Sequence, residues 1–594
     1  MIRPPQARLN ILAGPFTYAT QFIDRSGAVP LVEQWLLEDS APRSEAKATS
    51  ASTGAYSARA LLIGLYLLII TRQPISWASL LQMYWFQLDR QQITQLGLAE
   101  TIDPERQRWL TSFTAEIDTR WPKEALAIQQ SEYARLARSL DRTFDTIRWS
   151  PHDRTGKKTN AELKKRIRTL TDEEREVMTQ KKERHDLLVN TLIAASVDPS
   201  LLSSHRGDIM FDEVVIRTAK PNGKTGTKAQ ARHTGNPDAG WFMKKQEISS
   251  ATWGHGATFI MATHRPGQKR IPIVVVGMSL GKPTGGDVDE TMLAIEYAEK
   301  TGLLTPRAEK GRSRFAIADL GFTRKSRMNE NLTAKGYYLV QDYRDGDTRR
   351  FELQRPANTS TNVETGDELR IVDNGPTLFN GVLICPGFSA ATKDAFNPLS
   401  ATATEAERLA HEQREAQLLA GRMHPNGRPD PARHTRRGRP SATSLPIETI
   451  GYRVQAQCPA ASGQCRCPIV SDSLALGAEV PSVIDEPDMA NLPYVCAKSI
   501  SPVLMDVKQF KQYGVHLFGS AEHKKLYGYA RSLNEQWHSQ FRADHTGGID
   551  GAVFNTLGVE RIGVIIALAV AETNQASQRA FRHKHEDRDS LAAA

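Results

Sequence analysis

The sequence is poor in cysteine and holds no long apolar run, and each absence excludes a class of protein. Five cysteines in 594 residues are too few for a disulfide framework, so we expect a reducing cytoplasm. The most apolar run, residues 60–70, is shorter than the roughly 20 residues that a membrane-spanning helix needs. The first residues lack a charged segment followed by an apolar one, so we expect no signal peptide. The glycines form no Walker or dinucleotide-binding pattern, which argues against a requirement for ATP.

Basic residues outnumber acidic ones. The chain has 76 Lys and Arg against 67 Asp and Glu, a formal net charge of +9. This excess suits a polyanionic partner such as nucleic acid, although many basic proteins bind none. With 40% hydrophobic and 24% charged residues, the composition excludes a fibrous, collagen-like or wholly disordered chain. The length predicts about three or four domains.

Residues 1–150 are predicted to form a helical N-terminal DNA-binding region. Leu and Ile recur at helical spacing through Leu61–Ile70 and through Trp77–Leu88. Short helices joined by tight turns can present one helix to a DNA groove. A helical bundle that has no binding role has the same sequence pattern, so it is the alternative. Residues 151–200 follow as a charged helical connector. Either a solvated helix or an arm that tracks phosphates fits this stretch.

From residue 201 to 343 the pattern changes to strands and predicts an α/β fold. The strand-like runs, β-branched and apolar, are 208–218, 257–263, 271–277, 314–319 and 336–341. A helical pattern over 288–303 precedes the fourth run, and a short helical link precedes the fifth. The predicted order is therefore three strands, a helix, a strand, a helix and a strand. This is the order of an RNase H-like core, in which helices accompany a mixed five-stranded sheet.

Residues 344–500 interrupt this pattern and are predicted to form a β-rich insertion domain. Its strand candidates are 351–353, 368–372, 381–385 and 450–455, with a polar helix over 404–419. The Pro/Arg/Gly-rich segment 421–440 is expected to be flexible because it cannot bury a core. Its arginines, which suit phosphates, are Arg433, Arg436, Arg437 and Arg439. Residues 501–594 return to the core as its second part, with a catalytic helix and a C-terminal helix.

Two aspartates stand where a strand disfavours them, and together they point to a metal site. Asp212 lies in the middle of the first core strand, and Asp319 ends the fourth. Both positions make sense if the two side chains face a shared cation, since Mg²⁺ prefers carboxylates together with water and substrate phosphate. Each aspartate alone also fits a solvated strand end. Asp208, at the start of the first strand, is the second choice for the first acid.

The third acid is expected on a late helix within residues 527–542. One face of this helix carries residues three or four apart, namely Arg531, Glu535, His538 and Arg542. A surface ladder of ion pairs has the same spacing. The place of Glu535 between two arginines, which suit the phosphates beside a metal, favours a catalytic role.

These residues resemble a known family. The spacing Arg531-x3-Glu535-x6-Arg542 is similar to the Y-x2-R-x3-E-x6-K signature of DDE transposases of bacterial insertion sequences, those with a β-rich insertion between the second and third acids. The stretch 211–214 (FDEV) resembles the family's first-acid strand, and 316–322 (AIADLGF) resembles its second-acid motif. The chain departs from the signature in having arginine in place of the lysine, and in having tyrosines on either side of the tyrosine position.

The resemblance implies metal-dependent phosphoryl transfer on DNA. The catalytic acids are then Asp212, Asp319 and Glu535, which hold two Mg²⁺ or Mn²⁺ ions. The DNA contacts that it implies come from Arg531, Arg542, Tyr527 and Tyr529. The expected substrates are the terminal inverted repeats of a transposon and a target DNA, which are cut and joined in turn. A homodimer on DNA, associated with the bacterial nucleoid, is the family's usual state.

Two other functions stay open. An RNase H-like nuclease that cuts DNA without joining it needs the same three acids. A catalytically silent descendant that only binds DNA does not need the three acids. The presence of all three in the sequence weighs against this alternative.

Four of the five cysteines form a candidate structural zinc site. They are Cys458, Cys465, Cys467 and, further on, Cys496, in a loop-rich setting that suits a metal knuckle. The spacing lacks the common C-x2-C pair, and unbound thiols are usual in cytoplasmic proteins, so free cysteines are the alternative.

Overall fold

The computed structural model describes most of the chain. The described residues are 11, 13–40, 56–112, 123–152, 160–218, 236–243, 251–283, 287–305, 313–319, 322, 327–343, 350–354, 370–372, 374–388, 396, 402–433, 449–483, 488, 491–543 and 558–593. Within these ranges, no helix combines the length and the apolar character needed to cross a bilayer.

A mixed sheet forms the centre of the fold. Its strands are β1 (Ile209–Arg217), β2 (Gly240–Phe242), β3 (Thr252–Ala262), β4 (Val274–Gly281), β5 (Arg314–Ala318) and β6 (Tyr337–Gln341). The order is β2-β3-β1-β5-β6, and β4 also pairs with β3. β1 runs antiparallel to β3 and parallel to β5, and β5 runs parallel to β6. Without the short β2 this is the RNase H-like order, so the predicted α/β fold is confirmed.

Helices precede, interrupt and follow the sheet. Those ahead of it are α1 (Ala13–Ser26), α2 (Ala28–Ser40), α3 (Ala58–Ile70), α4 (Trp77–Gln82), α5 (Arg90–Gln95), α6 (Pro104–Ser112), α7 (Lys123–Asp145), α8 (Asn160–Arg168) and α9 (Asp172–Ala195). Those within and after it are α10 (Asp287–Lys300), α11 (Met328–Ala334), α12 (Glu405–Ala420), α13 (Val507–Phe510), α14 (Ala521–Arg542) and α15 (Val559–Ala593).

Alternation along the strands gives the sheet two apolar faces, because successive side chains of a strand point to opposite sides. One face, with Met210 and Ile317, joins a large core that contains side chains of α1, α3, α9, α14 and α15. The other face, with Phe211 and Ala318, packs on α10 and α11. The N-terminal helices and the central sheet therefore share one hydrophobic core.

The insertion is built from small sheets around a second core. Its strands are β7 (Arg350–Gln354), β8 (Arg370–Val372), β9 (Asn374–Phe379), β10 (Val382–Ile384), β11 (His424–Pro425), β12 (Asp430–Arg433), β13 (Thr449–Gln457), β14 (Asn491–Pro493) and β15 (Ile500–Met505). They pair as β10-β9-β7, as β11-β13-β12 with β15 on β13, and as β14-β8.

Part of the Pro/Arg/Gly-rich segment is ordered by pairing. Residues 421–433 contain β11 and β12, which pair with opposite parts of β13, so the expectation of flexibility does not hold for them. A backbone can join a sheet even where its side chains bury little, since the strand hydrogen bonds come from the main chain. Arg436, Arg437 and Arg439 lie outside the described residues.

Asparagine side chains from two helices bond to the backbone of β4, which pairs only with β3 among the described strands. Asn190 of α9 donates to Met278 O at 2.9 Å and accepts from Met278 N at 2.8 Å. Asn574 of α15 makes the same pair of bonds with Val275, at 2.8 and 2.9 Å. These side chains satisfy backbone groups that an edge strand would otherwise expose.

We expect Asn574→Leu to destabilise the protein by about 2–4 kcal/mol, because two buried backbone groups of Val275 lose their partners. Hydrogen exchange followed by mass spectrometry should show faster exchange across residues 274–281. Asn491→Leu is the control, since the Asn491 side chain is exposed and hydrogen-bonds to the nearby Asp488, far from β4. Unchanged exchange over β4 in Asn574→Leu would contradict the proposed role of this side chain.

Candidate active site

Parallel pairing brings two aspartates to the same face of the sheet. Met210 of β1 lies opposite Ile317 of β5, and Phe211 lies opposite Ala318. One further step in this register places Asp212 level with Asp319. Because side chains alternate, both aspartates share the face of Met210 and Ile317, which is the face that α14 covers.

The helix α14 is fixed by its cap and by its apolar stripe. Ser520 caps it by accepting a hydrogen bond from His523 N at 3.1 Å. Trp537, which is fully buried, packs its ring 5.4 Å from Phe259 of β3 and 5.1 Å from Phe541. This anchoring turns the neighbouring polar face of the helix towards the two aspartates.

A cavity of about 510 Å³ lies between the sheet and α14. Its polar lining consists of Asp212, Asp319, Tyr527, Arg531, Asn534, Glu535, His538, Ser539 and Arg542. The fold therefore brings together the three acids and both arginines that the sequence singles out. Tyr527 lies on the same wall, whereas Tyr529 is not part of the lining and bonds through its hydroxyl to His264 Nε2 at 2.7 Å.

Asp212 is held by three neighbours. Asn534 Nδ2 donates to its Oδ2 at 3.0 Å, His538 Nε2 lies 3.2 Å from the same oxygen, and Glu213 N donates to its Oδ1 at 2.8 Å. Burial acts to raise the pKa of Asp212, but His538, Asn534 and the Glu213 amide outweigh it, so the pKa lies below its usual value. Asp212 is accordingly a carboxylate at neutral pH.

Arg531 links the other two acids. Its Nε donates to Glu535 Oε1 at 2.9 Å, and its Nη1 lies 3.8 Å from Asp319 Oδ1. The Glu535 hydrogen bond raises the pKa of Arg531 further, so the guanidinium stays charged. Tyr527 donates to Asp319 Oδ1 at 3.4 Å, and its own pKa is raised by burial and by the Asp319 charge. The positively charged guanidinium of Arg531 thus lies between the carboxylates of Asp319 and Glu535.

The donor set suits a hard divalent cation. Besides the three carboxylates, Asn534 lines the cavity, and its buried Oδ1 has no hydrogen-bond partner among the described residues. Oxygen donors of this kind are those that Mg²⁺ and Mn²⁺ take. In the described part of the chain, no three His, Cys, Asp or Glu side chains already have the arrangement of a metal site. An ion would therefore have to draw the acids together and displace Arg531 from Glu535.

Asp208, the second choice for the first acid, has a structural role. Its carboxylate accepts from Arg265 Nε at 2.7 Å and Nη2 at 2.8 Å, and from Phe315 N at 2.8 Å. Its side chain is 1% exposed. These contacts use both oxygens and tie the start of β1 to β5, away from the cavity lining.

Besides Ser539, the polar lining residue that the sequence analysis did not predict is Asn534. It lies three residues after Arg531 and four before His538, so helical spacing alone places it beside that face. A pattern of charged residues does not include it, because an amide carries no charge.

All four candidate zinc ligands lie in or against the core of the insertion. Cys465 and Cys467 are buried in its core and Cys458 packs against it, as does Cys496 from the turn Tyr494–Cys496. Cys385, at the end of β10, is buried in the same core.

Comparison with known proteins adds no family to this description. No protein-family model matches the chain. No curated protein matches it at a significant level either. The site must therefore be interpreted from its own geometry.

We expect Asp208 and Asp212 to respond differently to removal of the charge. Asp208→Asn should lower the free energy of unfolding by roughly 3 kcal/mol, because it breaks a buried ion pair with Arg265. Asp212→Asn should change it by less than about 1 kcal/mol, because the neighbours of Asp212 are Asn534, His538 and a backbone amide rather than a paired arginine, and an amide oxygen can still accept a hydrogen bond. Thermal unfolding of both variants tests this. Equal losses in the two variants would mean that Asp212, too, has mainly a structural role.

Proposed function

We propose that this protein is a DDE-type DNA transposase, which cleaves strands at transposon ends and transfers them into target DNA in a metal-dependent reaction. One observation carries the proposal: Asp212, Asp319 and Glu535, from a central strand, its parallel neighbour and a late helix, line one cavity. Three carboxylates converging from parts so distant in sequence suit the assembly of a metal site more than a surface ladder of ion pairs.

The sheet supports this interpretation without deciding it. The acids occupy the middle of β1 and the carboxyl end of β5, where an RNase H-like core exposes both to the same side. Nucleases share this fold and need the same acids. The joining reaction is therefore proposed from the resemblance of the three acidic motifs to the transposases, and the experiment below distinguishes the two.

The three acids would hold two Mg²⁺ or Mn²⁺ ions, with Asn534 Oδ1 as a further oxygen donor. When bound, such ions supply activation of the attacking oxygen and neutralisation of charge at the scissile phosphate. The protein side chains do the positioning. Asn534 and His538 hold the Asp212 carboxylate in place, and Arg531, once freed from Glu535, can meet a phosphate beside the site.

DNA is the partner that this function requires. Arg542 is exposed at the end of α14 and lines the cavity, so its guanidinium suits a backbone phosphate close to the acids. Recognition of terminal inverted repeats is assigned to the N-terminal region, and a homodimer would bridge two ends. These assignments follow from the proposed family resemblance.

Strand nicking tests the proposal directly. Purified protein is incubated with Mg²⁺ or Mn²⁺ and a labelled duplex that carries the inverted repeats flanking its own gene. We expect cutting at the repeat boundary, and a loss on the order of 10³-fold in Glu535→Gln, since removal of one metal-holding carboxylate costs several kcal/mol of transition-state stabilisation. DNA binding in a gel-shift assay should be unchanged.

The matched control is Glu412→Gln, an exposed acid on the insertion helix α12, which should cut like the wild type. Cutting that survives Glu535→Gln would remove Glu535 from the site. Binding without cutting by the wild type would favour the silent DNA-binding descendant. Cutting without any strand-transfer product, given a target plasmid, would favour the nuclease.

Arg542→Ala should weaken binding of duplex DNA and reduce the slope of log affinity against log salt by about one, as for the loss of one phosphate contact. Fluorescence anisotropy at several salt concentrations measures both. Arg408→Ala, which removes an exposed arginine paired with Glu405 on α12, is expected to leave both unchanged. An unaltered slope in Arg542→Ala would rule out this phosphate contact.

A further inference from the structure

The helix α14 carries a line of exposed residues that continues past the cavity. Because an α-helix turns by about 100° per residue, Lys524 and Arg542 point in the same direction. The exposed residues along this line, which we call the α14 ridge, are Lys524, Gly528, Arg531, Glu535 and Arg542. The last three line the cavity, whereas Lys524 and Gly528 lie beyond it. The α14 ridge therefore extends from the mouth of the cavity towards the start of the helix.

Positive charge on α14 is left unbalanced among the described residues. Both acids of the helix already have a cationic partner: Glu522 lies 3.5 Å from Arg422 Nη1, and Glu535 lies 2.9 Å from Arg531 Nε. The exposed cations of α14 that form no ion pair with any described residue are Lys524, Lys525 and Arg542. Unbalanced positive charge along one side of a helix attracts a polyanion.

Gly528 interrupts the ridge between two cations, about one turn from Lys524 and about one turn from Arg531. A glycine inside a helix destabilises it relative to alanine, and the packing of the described residues does not require one. The backbone of Gly528 is helical, and a Cβ atom added there would meet no atom within 4 Å apart from the helix's own backbone. The missing side chain instead leaves this part of the helix open to close approach by another molecule.

We propose that the α14 ridge binds the sugar–phosphate backbone of a DNA duplex, with Lys524 on a phosphate and the closest approach at Gly528. The inference rests on the proposed function, because it takes DNA as the partner of the cavity. Phosphate contacts of this kind carry no base sequence information, so the ridge would position the duplex without selecting its sequence.

The length of the ridge sets how far along the duplex this contact lies. At ~1.5 Å per residue, Lys524 lies about 16 Å from Glu535 along the helix axis. At ~3.4 Å per base pair, that distance corresponds to about five base pairs. The ridge would thus hold the duplex on one side of the phosphate at the acids and fix the direction in which the duplex leaves the cavity.

Loss of the Lys524 charge tests the phosphate contact. The full-length protein binds a fluorescently labelled duplex without divalent cations, and anisotropy is measured at several salt concentrations. Lys524→Ala should weaken binding and reduce the slope of log affinity against log salt by about one. The matched control is Lys300→Ala on α10, which packs on the opposite face of the sheet and whose Lys300 pairs with Glu296. An unchanged slope in Lys524→Ala would overturn the proposal.

A side chain at Gly528 tests the close approach. Leucine is a better helix former than glycine and has open space there, so Gly528→Leu should not lower the melting temperature. Its affinity for the duplex should fall about tenfold with an unchanged salt slope, because the number of charges is the same. Ala406→Leu, which enlarges an exposed residue of α12, should bind like the wild type. Wild-type affinity in Gly528→Leu would exclude close approach at this glycine.

These binding measurements separate the ridge from the proposed activity. A protein that cuts and joins DNA, but whose Lys524→Ala variant keeps the wild-type salt slope, would overturn the ridge and leave the transposase proposal standing. A protein that binds DNA through Lys524 and Gly528 but cuts none would support the ridge and overturn the transposase proposal.

Discussion

The parallel pairing of β1 with β5 is the constraint on which the site depends. It sets Met210 against Ile317, and the alternation of side chains then carries Asp212 and Asp319 to one face at the same height. A slip of one residue in either strand would send one aspartate to the opposite face, under α10 and α11. The apolar residues on both sides of the sheet make such a slip costly, because it would also expose a full row of buried side chains.

Electrostatics also shapes the arrangement of the acids in the cavity. Three carboxylates on one cavity repel one another, and the protein balances this with its own groups. His538 faces Asp212, while Arg531 lies between Asp319 and Glu535. The exposed Arg531–Glu535 pair is weak, since both side chains are more than half exposed and water screens them. Glu535 is thus the most exposed of the three acids, and it would also be the easiest to separate from its present partner, Arg531, when a divalent cation binds.

The sequence predicted the core well because the strands there are long and apolar. The first core strand, predicted over 208–218, is observed as Ile209–Arg217, and the predicted helix 288–303 as Asp287–Lys300. In the insertion, β9 was not predicted, since Asn374, Gly375 and Pro376 at its start are typical of a turn. β15 was not predicted either, since Pro502 lies within it.

The shared core narrows how the N-terminal region could recognise DNA. The most apolar helix, α3, is buried along almost its whole length between α1 and α15, so it cannot enter a groove without breaking the core that also supports the sheet. A cluster of exposed basic side chains lies instead on α8, where Lys164, Lys165 and Arg168 face solvent. Such side chains suit phosphate contacts, which carry no base sequence information. Any base-specific contact from the N-terminal region would therefore be made by a surface that shares its hydrophobic core with the central sheet. If the protein acts as we propose, that core would couple recognition of a DNA end to placement of its phosphate at the acids.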